Sequence, residues 1–330
     1  MAHRKAVIGS PTSFWLYDST AGFDLTHPPN PTSDPITPRL SIKTTTATVT
    51  IHPPKTALVI IDMQNFFLSP QLGRPKDGKG LLAQKQLIEH AIPAARKAGI
   101  RVIWLNWGLT PREVETMPPA TLRAFGFETV DAVEFESYAN VEKKQAAVDS
   151  HGVNEAAPEI DAQDVKAKIE TSGKNPRIYR GLGSEVGPVK LEDGSEVQGG
   201  GLLMRDAWNS ALTPELDALY QEGLKASPPD VWIHKNRMSG LWGASSPCTE
   251  FLEKEGIKTL LFAGVNTDQC VGGSLQDAFT KGYDCILLSD GAGTTSPSSS
   301  QESIEFNCAK TWGFCVSCKG FKESVDGMGG

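Results

Sequence analysis

The chain has 330 residues, 39% hydrophobic and 22% charged, which is enough apolar material for a packed globular core. A formal net charge of −7, with no long basic run, argues against nucleic acid or an anionic membrane as the main partner. No apolar run approaches the ~20 residues needed to span a bilayer, and the opening MAHRKAVIGSPTSFW lacks the apolar stretch of a signal peptide. Six cysteines are too few for a disulfide framework and fit a reducing cytoplasm.

In chain order, residues 1–55 are rich in Pro, Thr and Ser and read as an N-terminal arm with a few edge strands. TALVIID (56–62) is a continuous apolar run ending in a carboxylate, the first core strand. After MQNFF and a Gly/Pro/Lys loop (70–80), residues 81–98 have helical periodicity, with Leu82, Leu87, Ala91, Ala94, Ala95 and Ala98 near one face and Gly99 as the stop. Residues 100–106 are the second strand. Residues 108–201 break the rhythm and read as an insertion, a lid or a set of oligomer contacts. The alternation resumes with a short helix (214–223) and VWIHK (231–235), a strand ending in Lys235. Ser246-Pro247 opens another helix. The fourth strand, 259–263, stops at Gly264, and Cys270 stands near the start of the helix 268–281. A strand (283–288), a helix (297–310) and a last strand (313–318) follow, leaving 321–330 as a tail. Strands alternating with helices predict an α/β fold: three αβα layers around a doubly wound, six-stranded parallel sheet, whose core is 56–107 plus 202–320. Neither GxGxxG after the first strand nor GxxxxGK[ST] occurs. Cys315-x-x-Cys318 has no second CxxC and no nearby histidine, so it reads as packed thiols.

Asp62, Lys235 and Cys270 share one address. Each lies at or just past the carboxyl end of a predicted parallel strand, the edge where open α/β sheets bind ligands. Each has a bland reading alone: a turn-capping Asp, a solvated Lys, a buried structural Cys. Together they offer a proton acceptor, a fixed cation and a nucleophile. A cysteine at a helix start is also expected to feel the positive end of the helix dipole, which favours thiolate.

VIIDMQNFF, VWIHKNRMSGLWG and LLFAGVNTDQCVGGSLQDAFTKGYDCILLSDG, in this order, resemble the isochorismatase-like cysteine hydrolases. The resemblance covers residues 56–107 and 202–318. It implies an Asp62–Lys235–Cys270 triad and a cis peptide at Val265–Asn266. It also implies an oxyanion hole made by the backbone N–H groups of Asn266 and Cys270. The implied reaction is hydrolysis of a C–N bond in a small amide, ureido or carbamoyl compound through a covalent thioester or carbamoyl-enzyme. Vinyl-ether hydrolysis and a non-catalytic binding role are the alternatives. Nicotinamidases of this superfamily carry an Asp-x-His metal motif; here Asn106-Trp107-Gly108 stands in its place, so neither metal nor other cofactor is expected. Gln64, Phe67, Trp107, Trp208, Trp242 and Val265 are candidates to contact the substrate, with Phe66 as a further pocket aromatic and Asn65 as a further orienting amide. His234 alternates with Lys235 and reads as structural. The resemblance also implies a homo-oligomer, a dimer or tetramer.

Overall fold

A computed structural model describes residues 2–29, 36–129, 146–150, 152 and 179–329. The chain opens with β1 (Lys5–Ser10), β2 (Ser13–Asp18), β3 (Gly22–Asp24), β4 (Leu40–Lys43) and β5 (Thr48–Ile51), which form one sheet in the order β1-β2-β3-β5-β4. β6 (Thr56–Ile61) and β7 (Arg101–Trp107) begin the central sheet. Two small hairpins follow, β8 (Phe127–Thr129) with β9 (Ala146–Val148), and β10 (Pro188–Lys190) with β11 (Glu196–Gln198). β12 (Val231–Lys235), β13 (Thr259–Val265), β14 (Asp284–Gly293) and β15 (Phe314–Val316) complete the centre. Its order is β12-β7-β6-β13-β14-β15, and every pairing is parallel.

The layers follow from the period-two alternation of side chains along each strand. Leu58, Ile60, Trp104, Leu261 and Ile286 pack with Leu87, Ala91, Ala95 and Phe321 on one face. Val59, Ile61, Leu105, Leu260 and Phe262 pack with Leu252, Leu275, Ala278 and Ile304 on the other. With both faces covered, the strands have to be apolar throughout, as TALVII and TLLFAGV are. Each fully buried aliphatic side chain contributes about 1.5–3 kcal/mol. Among the described residues no helix is long and apolar enough to cross a membrane.

Several expectations change. The helix expected over 81–98 runs as Lys79–Gln86, a π-turn Leu87–Ala91 and Ile92–Lys97. Pro93 has no N–H to give to the preceding turn, and the widened turn accommodates it. Leu82, expected inside, is exposed; Ala83 and Leu87 hold the inner face. β13 does not stop at Gly264 but continues to Val265, because Gly264 takes φ +112° and lies so close to β6 that a Cβ would stand 2.0 Å from the Ile61 carbonyl oxygen.

The N-terminal segment is more than edge strands. Its sheet packs on the core through Trp15 and Phe23, whose rings lie 6.0 and 5.6 Å from that of Phe314. Trp15 Nε1 donates to Asp284 Oδ1 at 2.8 Å, while Thr259 Oγ1 donates to Asp284 Oδ2 at 2.9 Å and His27 Nε2 lies 2.6 Å from the same oxygen. At the other end, the expected tail contains the last turns of a helix, Cys318–Asp326, which also takes over the end of the expected 313–318 strand. Cys318, Phe321 and Val325, spaced three and four apart, make its buried face. Asp290 Oδ1 accepts its first N–H, that of Cys318, at 2.6 Å.

Candidate active site

Three strand ends meet at one edge of the sheet. β6 ends at Ile61, and Asp62 turns the chain with φ +54°, a left-handed conformation that Asp tolerates better than branched residues do. Its N–H donates to the Leu105 carbonyl at 3.2 Å, and its Oδ1 accepts from Trp107 N–H at 3.1 Å. The carboxylate is therefore tied to the end of the neighbouring strand. Lys235 closes β12 on the far side of β7. Its Nζ lies 2.9 Å from Asp62 Oδ2 and 4.1 Å from the centre of the Trp107 ring. The contact with Asp62 is an ion pair off the angle of a regular hydrogen bond, since Oδ2 has no hydrogen-bond partner of ordinary geometry. The regular bonds of the ammonium go to the carbonyls of Arg237 and Met238, both at 3.1 Å. Cation–π contact and two carbonyls offset part of the cost of burying this charge.

Cys270 does not stand at the first turn of an α-helix. It is the fourth residue of a π-turn, Thr267–Val271, that leads into the helix Gly272–Thr280. The Val265–Asn266 peptide before that turn is cis. The Asn266 carbonyl accepts from both Gln269 and Val271 N–H, at 3.0 and 3.1 Å, which fixes the turn. Ser274 Oγ donates to the Cys270 carbonyl at 2.7 Å and accepts from Gly240 N–H at 3.0 Å, linking the turn to the loop after Lys235. The thiol is close enough to the Asp62 carboxylate, the Lys235 ammonium and the Trp107 side chain to feel all three electrostatically. Asp62, Lys235 and Cys270 are all buried, with 6% of Cys270 open.

Burial changes the expected electrostatics. It pushes the Cys270 thiol up to about 12; Lys235 opposes this, while Asp62 adds to it. Desolvation thus acts against the dipole-stabilised thiolate expected from the sequence, and the ammonium offsets it only in part. Burial also raises Asp62, with Lys235 and the hydrogen bonds from Cys270 and Trp107 pulling the other way. A carboxylate lifted in this way is a stronger base than an exposed one.

The remaining candidates separate. A cavity of about 260 Å³ opens beside Val265 and Asn266 and is lined by Phe67, Arg74 and Thr294 among others. Gln64 is committed elsewhere: Nε2 donates to the Trp107 and Ser210 carbonyls at 2.8 and 2.6 Å, and Oε1 accepts from Trp107 N–H at 3.1 Å. It positions the end of β7 and does not line the cavity. Asn65 Nδ2 is likewise spent, on the Trp208 carbonyl at 2.9 Å. Trp107 is buried beneath Lys235, with Nε1 making no regular hydrogen bond among the described residues. Trp208 packs with Phe66, Leu203 and Leu182 in a third apolar cluster, where the described part of 108–201 covers the ends of β6 and β7. Trp242 is exposed; Nε1 donates to Asn236 Oδ1 at 3.1 Å and its ring stacks under Arg237, so it does not line the cavity. His234 Nδ1 accepts from Trp232 Nε1 at 3.2 Å, a structural contact.

Two residues that shape the site gave no signal in the sequence. Asn209 is fully buried; its Oδ1 accepts from Leu203 N–H, and its Nδ2 donates to the Gly199 and Gly201 carbonyls, all at 2.8 Å. It fixes the segment in which Leu203 adopts φ +55°. Arg74 lies inside the Gly/Pro/Lys loop 70–80 and was not singled out. Among the described residues no group of three or more His, Cys, Asp or Glu side chains is arranged to hold a metal.

Comparison with known proteins gives three findings. A family model described as Isochorismatase domain matches residues 184–307, a span that includes Lys235 and Cys270 but not Asp62. The ureidoacrylate amidohydrolase RutB of Methylobacterium radiotolerans is 25% identical over 282 residues, 84% of this chain and 82% of that protein. Among solved structures, a cysteine hydrolase from Pseudomonas syringae pv. phaseolicola has a TM-score of 0.49 at 15% identity, covering 89% of this chain and 100% of that one. A nicotinamidase from Bacillus subtilis has a TM-score of 0.47 at 15% identity, covering 80% and 99%.

Proposed function

We propose that the chain is an isochorismatase-like hydrolase and that it cleaves a C–N bond of a small amide, ureido or carbamoyl compound, with Cys270 as nucleophile. The observation that carries this reading is the burial of three groups at one edge of the sheet, with Lys235 Nζ 2.9 Å from Asp62 Oδ2 and the Cys270 thiol in the electrostatic reach of both. A protein that only binds a metabolite has no need to bury an ammonium, a carboxylate and a thiol together, an arrangement that is costly in itself.

The sequence of steps follows from the groups. The Cys270 proton passes to Asp62 as Sγ attacks the carbonyl carbon, so a free thiolate need not accumulate. The tetrahedral oxyanion is held by the backbone N–H groups of Asn266 and Cys270. Asp62 then gives its proton to the leaving nitrogen, and ammonia or an amine departs, leaving a thioester or thiocarbamate on Cys270. Asp62 takes a proton from water, which attacks the acyl carbon, and the proton returns to the thiolate as the acid leaves. Throughout, Lys235 stabilises the ionised form of Asp62.

The test is ammonia release from a panel of ureido, carbamoyl and amide compounds. Cys270→Ala is expected to lower kcat/KM by about 10⁴-fold or more while the variant stays folded by circular dichroism. A variant with near-normal turnover would remove Cys270 from the chemistry.

A further inference from the structure

Lys235 and Cys270 come from strands that are not neighbours. In the order β12-β7-β6-β13, two strands stand between the end of β12, which carries Lys235, and the end of β13, which leads to Cys270. Their spacing is therefore not set by pairing of their own two strands. The loop after β12 supplies a second connection. Its Arg237 and Met238 carbonyls each accept from Lys235 Nζ at 3.1 Å, so the ammonium follows the loop.

This loop runs to Gly240, which is held on three sides. Its N–H donates to Ser274 Oγ at 3.0 Å, and its carbonyl accepts from Ser246 Oγ at 2.8 Å. Its Cα lies so close to β7 that a Cβ would stand 2.4 Å from Leu105 Cδ2. Of these three contacts, only the bond to Ser274 reaches the helix that follows Cys270. Met238 also lies over that helix, where a Cβ on Gly273 would meet its Cε at 2.9 Å, but half of Met238 is exposed and the contact is apolar.

Ser274 is fully buried, and its hydroxyl works in both directions. It accepts from the loop at Gly240 and donates to the Cys270 carbonyl at 2.7 Å. One oxygen thus touches the main chain of the nucleophile and the main chain of the loop that grips the cation. The helix itself has no need of this group, because a hydroxyl bonded back to the carbonyl four residues earlier is neutral or slightly unfavourable to a helix.

We propose that Ser274 is a positioning residue, whose hydroxyl fixes the Cys270 turn against the loop that holds Lys235 and so keeps the ammonium within reach of the thiol. Without the hydroxyl, the buried Gly240 N–H loses its acceptor, and the loop shifts to find another. The Arg237 and Met238 carbonyls move with it, and Lys235 with them. Lys235 opposes the effect of burial on the thiol, so a weaker coupling lowers the thiolate fraction. The proposal rests on the hydrolase reading for its effect on turnover; its effect on thiol reactivity does not.

Three variants part the hydroxyl from the shape. S274A removes it, S274T keeps it, and S274V has the outline of threonine without it. The first readout is alkylation of Cys270 by iodoacetamide between about pH 7 and 10, followed by peptide mass mapping, since rate follows the thiolate fraction. In S274A and S274V the rate should fall by about 3- to 10-fold at each pH, a profile displaced to higher pH. S274T should stay close to the unaltered protein. The second readout is turnover, where S274A should lower kcat by about 10- to 100-fold, the scale of a small misplacement, with KM within about 2-fold. Thermal unfolding identifies any variant that has lost its fold; the S274T and S274V pair carries the comparison if S274A has. An unchanged alkylation profile in S274A or S274V, S274T as slow as S274V, an unchanged kcat, or loss of fold in both S274A and S274V would overturn the proposal. Absence of turnover by the unaltered protein, with the alkylation differences intact, would sink the hydrolase reading and leave this one standing.

Discussion

The working unit at the residue scale is the buried grouping of Cys270 with Asp62 and Lys235. Burial pushes the thiol up to about 12 and raises Asp62 above its ordinary value, which sets a weakly acidic nucleophile beside a strengthened base. The pH dependence has a definite sign. Turnover needs ionised Asp62, so kcat/KM should climb as pH rises through the raised Asp62 pKa, an acid limb lying above the ~4 of an ordinary carboxylate. No alkaline limb from the thiol should appear near neutrality. Initial rates between pH 4 and 9 check this; a midpoint at or below 4 would mean that burial does not govern Asp62. Alkylation of Cys270 by iodoacetamide should likewise be slow at pH 7 and accelerate toward alkaline pH. The residue types and strand-end addresses of Asp62, Lys235 and Cys270 were legible in the sequence. The direction of the thiol shift was not, because it depends on how completely the three groups are enclosed, which no local pattern encodes.

Among the elements, the turn Thr267–Val271 is held to β6 and β13 by close backbone approach at Gly264. Gly264→Ala places a Cβ 2.0 Å from the Ile61 carbonyl oxygen, at φ +112°. The expected cost is about 2–5 kcal/mol, from overpacking and a disfavoured backbone, with activity falling further than stability because Asp62 directly follows Ile61. Urea denaturation and kcat/KM measured together check this; an unchanged midpoint would show that β6 can yield. Sequence reasoning read Gly264 as a stop because glycine commonly ends a strand. Its actual use, a close crossing of two parallel strands, is a long-range relation. The same limit explains Gln64 and Asn209, whose amides serve main-chain groups distant in sequence, and Trp242, whose partners lie on the surface.

At the scale of the whole molecule, continuous apolar runs alternating with helical stretches foretold the parallel sheet and its helices. The ends of the chain were harder to read. The five-stranded N-terminal sheet is made of short strands that acquire meaning only where Trp15 and Phe23 meet Phe314, and the helix Cys318–Asp326 hides behind a β-like FCV. Trp15→Ala removes a part-buried indole and its bond to Asp284, and should destabilise the protein by about 2–4 kcal/mol while leaving KM unchanged, since Trp15 is far from Cys270 in the fold's layers. Chemical denaturation with parallel kinetics checks it, and a shift in KM at constant stability would contradict it. The central claim is covalent catalysis by Cys270, and the most direct measurement is mass spectrometry of the protein quenched in acid during turnover of a ureido or amide substrate. The account predicts an acyl or carbamoyl mass increment on the peptide that contains Cys270, absent in Cys270→Ala. Steady turnover with an unmodified Cys270 peptide at every quench time, or an adduct on another residue, would contradict it.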